Sequence, residues 1–194
     1  MADRKPKHQH LWQTALMFSV ATFLSAKLGI LLSVPQSSYV SFWLPAGLYV
    51  GVLLLNESRT WPWLVVAAIT ANILYDLQSG TPVYTALGFC TADTLEALAG
   101  AWLVRRFVAQ NPRLTTLNEF LGLLGAAAIL SPALGAAIGA ATLSASGMSH
   151  SFWASWIAWW INNALAVLLV APFILGATRT RVGEFVGFSD SAAS

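Results

Sequence analysis

The sequence predicts an all-α integral membrane protein: a polytopic bundle of about six transmembrane helices with both ends on the cytoplasmic side. Three observations lead there. Of 194 residues, 57% are hydrophobic and 9% are charged. A soluble domain, with about 25% charged residues, could not cover its surface with so few. Apolar stretches close to the roughly 20 residues of a crossing helix recur along the whole chain. Basic residues collect on alternate connections. No stretch alternates like a strand of a lipid-spanning barrel, and hydrocarbon leaves no water for unpaired amides, so the crossings are helical.

Residues 1–10 form a cytoplasmic basic tail with Arg4, Lys5 and Lys7. The first helix is expected over 11–34, followed by a connection without Lys or Arg. The second is expected over 39–55, where Pro45 after Trp43-Leu44 marks the start of regular helix. Arg59 follows it. The third covers 61–77, and its connection carries Asp76 and no base. The fourth covers 83–104 and leads into Arg105, Arg106 and Arg113. Thr116 with Glu119 three residues on reads as a capping box opening the fifth helix, 118–143, which Pro132 should kink. The connection over 144–151 again has no Lys or Arg. The sixth helix covers 152–176, and a cytoplasmic tail, 177–194, carries Arg179 and Arg181. Residues 11–176 are thus read as one transmembrane domain.

Nine of the ten basic residues then lie on one side, which the positive-inside rule makes cytoplasmic. A wrong helix count would scramble this alternation. The rival reading of residues 1–27 as a cleaved signal peptide fits less well, because the apolar run continues past Lys27. The localisation expected is a bacterial inner membrane, with the lipid bilayer as first partner.

Tryptophans mark the interfaces. Trp12, Trp61, Trp63 and Trp102 fall at cytoplasmic helix ends, and Trp43 and Trp153 at outer ends. Trp156, Trp159 and Trp160 run deeper into the sixth helix. Together with Trp43 they form a candidate aromatic pocket. Gly47 with Gly51, and Gly135 with Gly139, stand at the spacing that lets helix backbones approach. Packing within the chain is the first reading of these pairs, and a homodimer face the alternative.

Lys27, Asp93 and Glu96 are charged residues inside apolar segments, where each costs at least about 2.5 kcal/mol at a helix centre. They should face the bundle interior and find partners. Depth along the helices favours a Lys27–Asp93 pair, with Asp76 as the other partner for Lys27. Asp93 and Glu96, three apart, share a helix face. With Asn72, Asn162 and Asn163 they form an intramembrane polar cluster, either a ligand or proton site or a set of interhelical bonds that fixes packing.

Several chemistries are set aside. One cysteine, Cys90, permits no internal disulfide or cysteine-based metal site. His8, His10 and His150 lie outside the apolar segments, and no H-E-x-x-H, P-loop, G-x-S-x-G or G-x-G-x-x-G is present. No enzyme activity, cofactor or metal is expected. No basic stripe with interleaved aromatics suggests nucleic acid.

Trp43-Leu44-Pro45-Ala46-Gly47, then Trp61-Pro62 and Ala71-Asn72, then the stretch from Asp93 through Arg106, then Trp156 to Pro172 with its Val-Ala-Pro ending, stand in order over roughly residues 11–180. This ordered set resembles the bacterial membrane-associated sensor domain of the first MASE type. The resemblance implies the input module of membrane diguanylate cyclases, phosphodiesterases and histidine kinases, hence signal transduction through a C-terminal output domain or a two-component phosphorelay. Such domains usually have about eight crossings, so the chain is expected to be the front part of one, with Glu184-Phe185-Val186 beginning a further helix. It departs from the family pattern at Asp93, where an asparagine is expected, and at Asn162-Asn163, where an acidic residue is common. Two other classes stay open. One is the substrate-binding membrane subunit of an ECF-type uptake transporter, with Trp156, Trp159 and Trp160 stacking on an aromatic solute. The other is a membrane scaffold assembled through Gly135 and Gly139 with a partner membrane protein.

Overall fold

The computed structural model describes residues 7–32, 42–112 and 114–190, with side chains described over 11–177 apart from the same gaps. All regular structure among the described residues is helical. Helix α1 is Lys7–Leu31, α2 Leu44–Leu55, α3 Trp61–Gln78 and α4 Val83–Phe107. A short 3-10 turn, Ser58–Thr60, links α2 to α3. Then come α5 (Leu117–Leu123), a π-helical segment (Leu124–Leu130) and α6 (Ser131–Ala145), which follow one another without a break. Helix α7, Phe152–Asp190, is the longest at 39 residues. Among the described residues, four helical stretches are long and apolar enough to cross a membrane: Leu11–Leu31, Val83–Phe107, Leu117–Ala145 and Phe152–Ala177.

The other two expected crossings are built differently. Helix α2 has 12 residues, about 18 Å of rise, and it is interior: Gly47, Val50 and Leu53 are among its buried positions. It packs against α7, α4 and α1. Helix α3 has 18 residues, but Asn72, Asp76 and Gln78 dilute its apolar run. The expected helix ends at 33–34 and 39–41, residues 1–6, Arg113 and residues 191–194 lie outside the described residues. Residues 177–190, expected as a tail with a further helix beginning at Glu184-Phe185-Val186, instead continue α7 to Asp190.

Close approach of α2 and α7 depends on Gly47. A Cβ there would strike the backbone carbonyl of Ala166 and stand 2.8 Å from Val170 Cβ. One turn on, Gly51 faces Ile174. This is the expected small-residue packing, and it is internal.

The last carbonyls of α2 have no donors within the helix. Arg105 at the end of α4 supplies them: Nη2 donates to the carbonyls of Leu53, Leu54 and Asn56 at 3.2, 3.1 and 2.6 Å, and Nη1 to Ser58 Oγ. The Trp61 indole donates to Leu53 O and Asn56 O, and the guanidinium lies 5.0 Å from the Trp61 ring centroid.

The expected N-cap forms at α5: Glu119 N donates to Thr116 Oγ1. The return bond of the box shifts by one residue, with Glu119 Oε2 accepting from Thr115 N at 2.7 Å in place of Thr116 N. The kink expected at Pro132 takes the form of the π-helical segment just before it. Proline removes a donor, and wide turns leave carbonyls open to other donors. Trp160 Nε1 donates to Ile129 O at 2.9 Å and Trp156 Nε1 to Ala133 O at 3.1 Å. Ser131 Oγ donates to Ala127 O.

Gly47→Val is expected to lower stability by about 3 kcal/mol by forcing α2 and α7 apart. Gly176→Ala, where nothing lies within 4 Å of an added Cβ, should leave it unchanged or slightly raised. Thermal unfolding of both variants in detergent tests this, and equal midpoints would contradict a backbone contact between α2 and α7.

Candidate functional site

Helix α4 carries the site. Its positions 89, 93 and 96 lie on one helical face, three or four residues apart, and that face points into the bundle. Asp93 is 5% exposed and Glu96 1% exposed. An apolar interior tolerates a carboxyl group only where donors meet it; Asp93 finds two donors and Glu96 one, all on different neighbours.

Asp93 Oδ2 accepts from Trp43 Nε1 at 3.0 Å and from Asn72 Nδ2 at 3.3 Å. Trp43 directly precedes α2 and Asn72 sits in α3, so one oxygen ties three elements together. Asp93 Oδ1 has no hydrogen-bond partner. Glu96 Oε2 accepts from Asn163 Nδ2 at 2.8 Å, joining α4 to α7. Glu96 Oε1 and Trp159 Nε1 are also buried without a partner. The indole lies near the carboxyl but does not reach hydrogen-bond geometry.

The glycines of α6 make this possible. A Cβ on Gly135 would collide with the Glu96 carboxyl, and one on Gly139 would stand 2.6 Å from the Trp159 ring. The spacing read as a helix–helix contact therefore makes room for two side chains of the cluster. Gly100, opposite, lets Ser131 come close to α4.

A cavity of about 240 Å³ opens beside Asp93. Helix α3 contributes Tyr75 and Asp76, α4 Phe89 and Asp93, and α7 Trp159, Asn162 and Asn163, with Trp43 closing one side. Its rim includes Ser79 and Thr81 between α3 and α4, and Met148 between α6 and α7. These are the connections that carry no lysine or arginine. Phe89 and Trp159 rings lie 5.4 Å apart, and Trp43 and Tyr75 rings 5.5 Å apart.

The structure thus brings together Asn72, Asp93, Glu96, Asn162 and Asn163 with Trp43 and Trp159. It leaves out three other expected members. Lys27 pairs with neither Asp93 nor Asp76; its ammonium lies 5.4 Å from the Tyr75 ring centroid and 5.5 Å from that of Phe23. The reason is packing order: α1 rests on α3 and α2, so Tyr75 stands between Lys27 and the cavity. Trp156 and Trp160, four apart with ring centroids 5.2 Å from each other, turn instead to α6 and the π-helical segment, where they donate to the carbonyls of Ala133 and Ile129. Nothing in the local sequence of Tyr75 or Phe89 distinguishes a wall aromatic from a packed one. For Asp76, a partner for Lys27 in the sequence reading, its place at the end of a helix that leads into a connection without Lys or Arg is a usable signal of a cavity residue.

A double-mutant cycle on Glu96→Ala and Asn163→Ala should show a coupling of about 1–3 kcal/mol, because either single change leaves a buried polar group unpaired. Additive losses in detergent unfolding would remove the bond as a link between α4 and α7.

The family model MASE1 matches residues 10–186. No curated protein and no solved structure matches the chain.

Proposed function

Because this chain belongs to the MASE1 family of membrane-associated sensor domains, we propose that it is an input module that takes up a small solute at the outer face of a bacterial inner membrane and relays its presence to a cytoplasmic output domain. The observation that carries this reading is the wall of the cavity: its α7 residues belong to the helix that runs on, unbroken, to Asp190. At about 1.5 Å per residue, 39 residues extend about 58 Å, against about 30 Å of hydrocarbon. A solute against Trp159, Asn162 and Asn163 therefore acts on the outer end of a rod whose other end stands beyond the membrane.

Orientation follows from charge. The cavity rim lies on the base-free connections, while Arg59, Arg105 and Arg106 lie at the opposite ends of the helices. The positive-inside rule places those arginines in the cytoplasm and the cavity mouth outside. On this reading six helices cross and both ends are cytoplasmic. The short α2 is compatible with a crossing because protein, not lipid, surrounds its ends: Trp43 is held by Asp93 and the last turn by Arg105.

The output expected is cyclic-di-GMP synthesis or a phosphorelay, and its test is a fusion. The chain is placed ahead of a diguanylate cyclase output and cellular cyclic-di-GMP is measured at matched membrane levels. Asn163→Ala and Glu96→Gln should shift basal output about fivefold or more. Ile161→Ala, an exposed position on the same helix, should leave it unchanged. If all three variants match the parent, the relay through α7 is wrong. Alkaline phosphatase should be active when fused at Met148 and inactive when fused after Arg106; the reverse pattern overturns the orientation.

A further inference from the structure

We propose that the cavity binds a small protonated organic amine, its ammonium held by Asp76 and Asp93 and its apolar body lying against Trp43, Tyr75, Phe89 and Trp159. The inference rests on the solute-sensing reading of this same cavity. Both carboxylates line it, and both are more than nine-tenths buried, with Asp76 7% and Asp93 5% exposed. Neither has a cationic partner among the described residues. Among the described residues none donates a hydrogen bond to the Asp76 carboxylate. Asp93 is held in place from one oxygen only, by Trp43 and Asn72, so its Oδ1 remains for a ligand.

Among the described residues no lysine, arginine or histidine lines the cavity, and Lys27 lies over the Tyr75 ring outside the wall. Two carboxylates in apolar surroundings with no counter-charge favour a cation over an anion or a neutral solute. Four aromatic side chains around the same space add ring faces that attract an ammonium and a hydrocarbon body alike. Asn162 and Asn163 supply amide groups beside them. The volume, about 240 Å³, lies below the usual range for ligand sites of about 300–1,000 Å³, which limits the ligand to one ring or a short chain. A hydrated metal ion suits the site less well, because its walls are mostly apolar.

The probes are 2-phenylethylammonium and its uncharged counterpart 2-phenylethanol, titrated by calorimetry into the full chain in lipid nanodiscs. The ammonium should bind saturably and at least tenfold more tightly than the alcohol. Asp93→Asn, which keeps an acceptor for Trp43 and Asn72, should weaken ammonium binding about tenfold or more and bring the two probes level. Asp76→Asn serves as the second variant should Asp93→Asn fail to fold. Equal binding of the two probes, no binding of either, or ammonium binding unchanged in the folded variants overturns the proposal. The sensor reading is judged separately by the cyclase fusion. Output that shifts with Asn163→Ala while no amine binds leaves the sensor and removes the ligand class. Selective amine binding with an output indifferent to Asn163→Ala leaves the site and removes the relay.

Discussion

Two carboxyl groups on one helix face, buried among apolar side chains, constrain the whole bundle. Each charged group at a helix centre costs at least about 2.5 kcal/mol in a membrane, so Asp93 and Glu96 on α4 hold their places only through donors from other helices. Those donors arrive from three elements, and a fourth makes room for them. Trp43 ahead of α2 and Asn72 in α3 meet Asp93, Asn163 in α7 meets Glu96, and Gly135 in α6 leaves the space that Glu96 occupies. Helix α4 is accordingly the hub, in contact with α2, α3, α6 and the π-helical segment. Without these bonds the helices would remain apolar rods with no reason to choose one register, since lipid solvates leucine as well as a neighbouring helix does.

The cluster also explains why α2 is short. A helix lying at the centre of a bundle does not meet lipid at its ends, so protein groups must satisfy its terminal amides and carbonyls. At one end Trp43 is anchored on Asp93, and at the other Arg105 and Trp61 take the last carbonyls. Both anchors at the far end belong to neighbours, α4 and α3. The planar, forked guanidinium of Arg105 reaches three carbonyls at once, which a lysine could not do. A residue that the charge pattern explains as a topology signal thus has a second task in the packing.

Helix positions were legible in the sequence because hydrophobicity and basic residues act locally, and a crossing helix must form its bonds within itself. The same holds for the Thr116–Glu119 cap, whose partners lie three residues apart. The polar cluster was legible in composition, since Asp93, Glu96, Asn72 and Asn163 are costly anywhere but an interior. Its pairing was not. Charge and depth favour Lys27 as the partner of Asp93, but the structure gives Asp93 an indole and an amide, and leaves Lys27 over Tyr75. Depth along one helix says nothing about which helices are neighbours, and here α3 stands between α1 and α4. The tryptophans of α7 show the same limit. Their spacing separates 156 and 160 from 159 by helix geometry, but only the position of α6 decides which face meets the carbonyls near the π-helical segment and which meets the cavity.

That division of labour within α7 bears on how a signal would travel. Trp156 and Trp160 fasten one face of the helix to Ala133 and Ile129, on either side of Pro132, where the backbone is already irregular. Asn163, seven residues on from Trp156 and three from Trp160, lies on that same face and fastens it to Glu96, while Trp159 beside them borders the cavity. Further along, Ala166 and Val170 pack against Gly47, and Ile174, beyond Pro172, against Gly51. The helix is thus fastened on both sides of its proline, and a solute pressing on Trp159 would strain the bonds to Ile129, Ala133 and Glu96 together before it could move the part that leads on to Asp190.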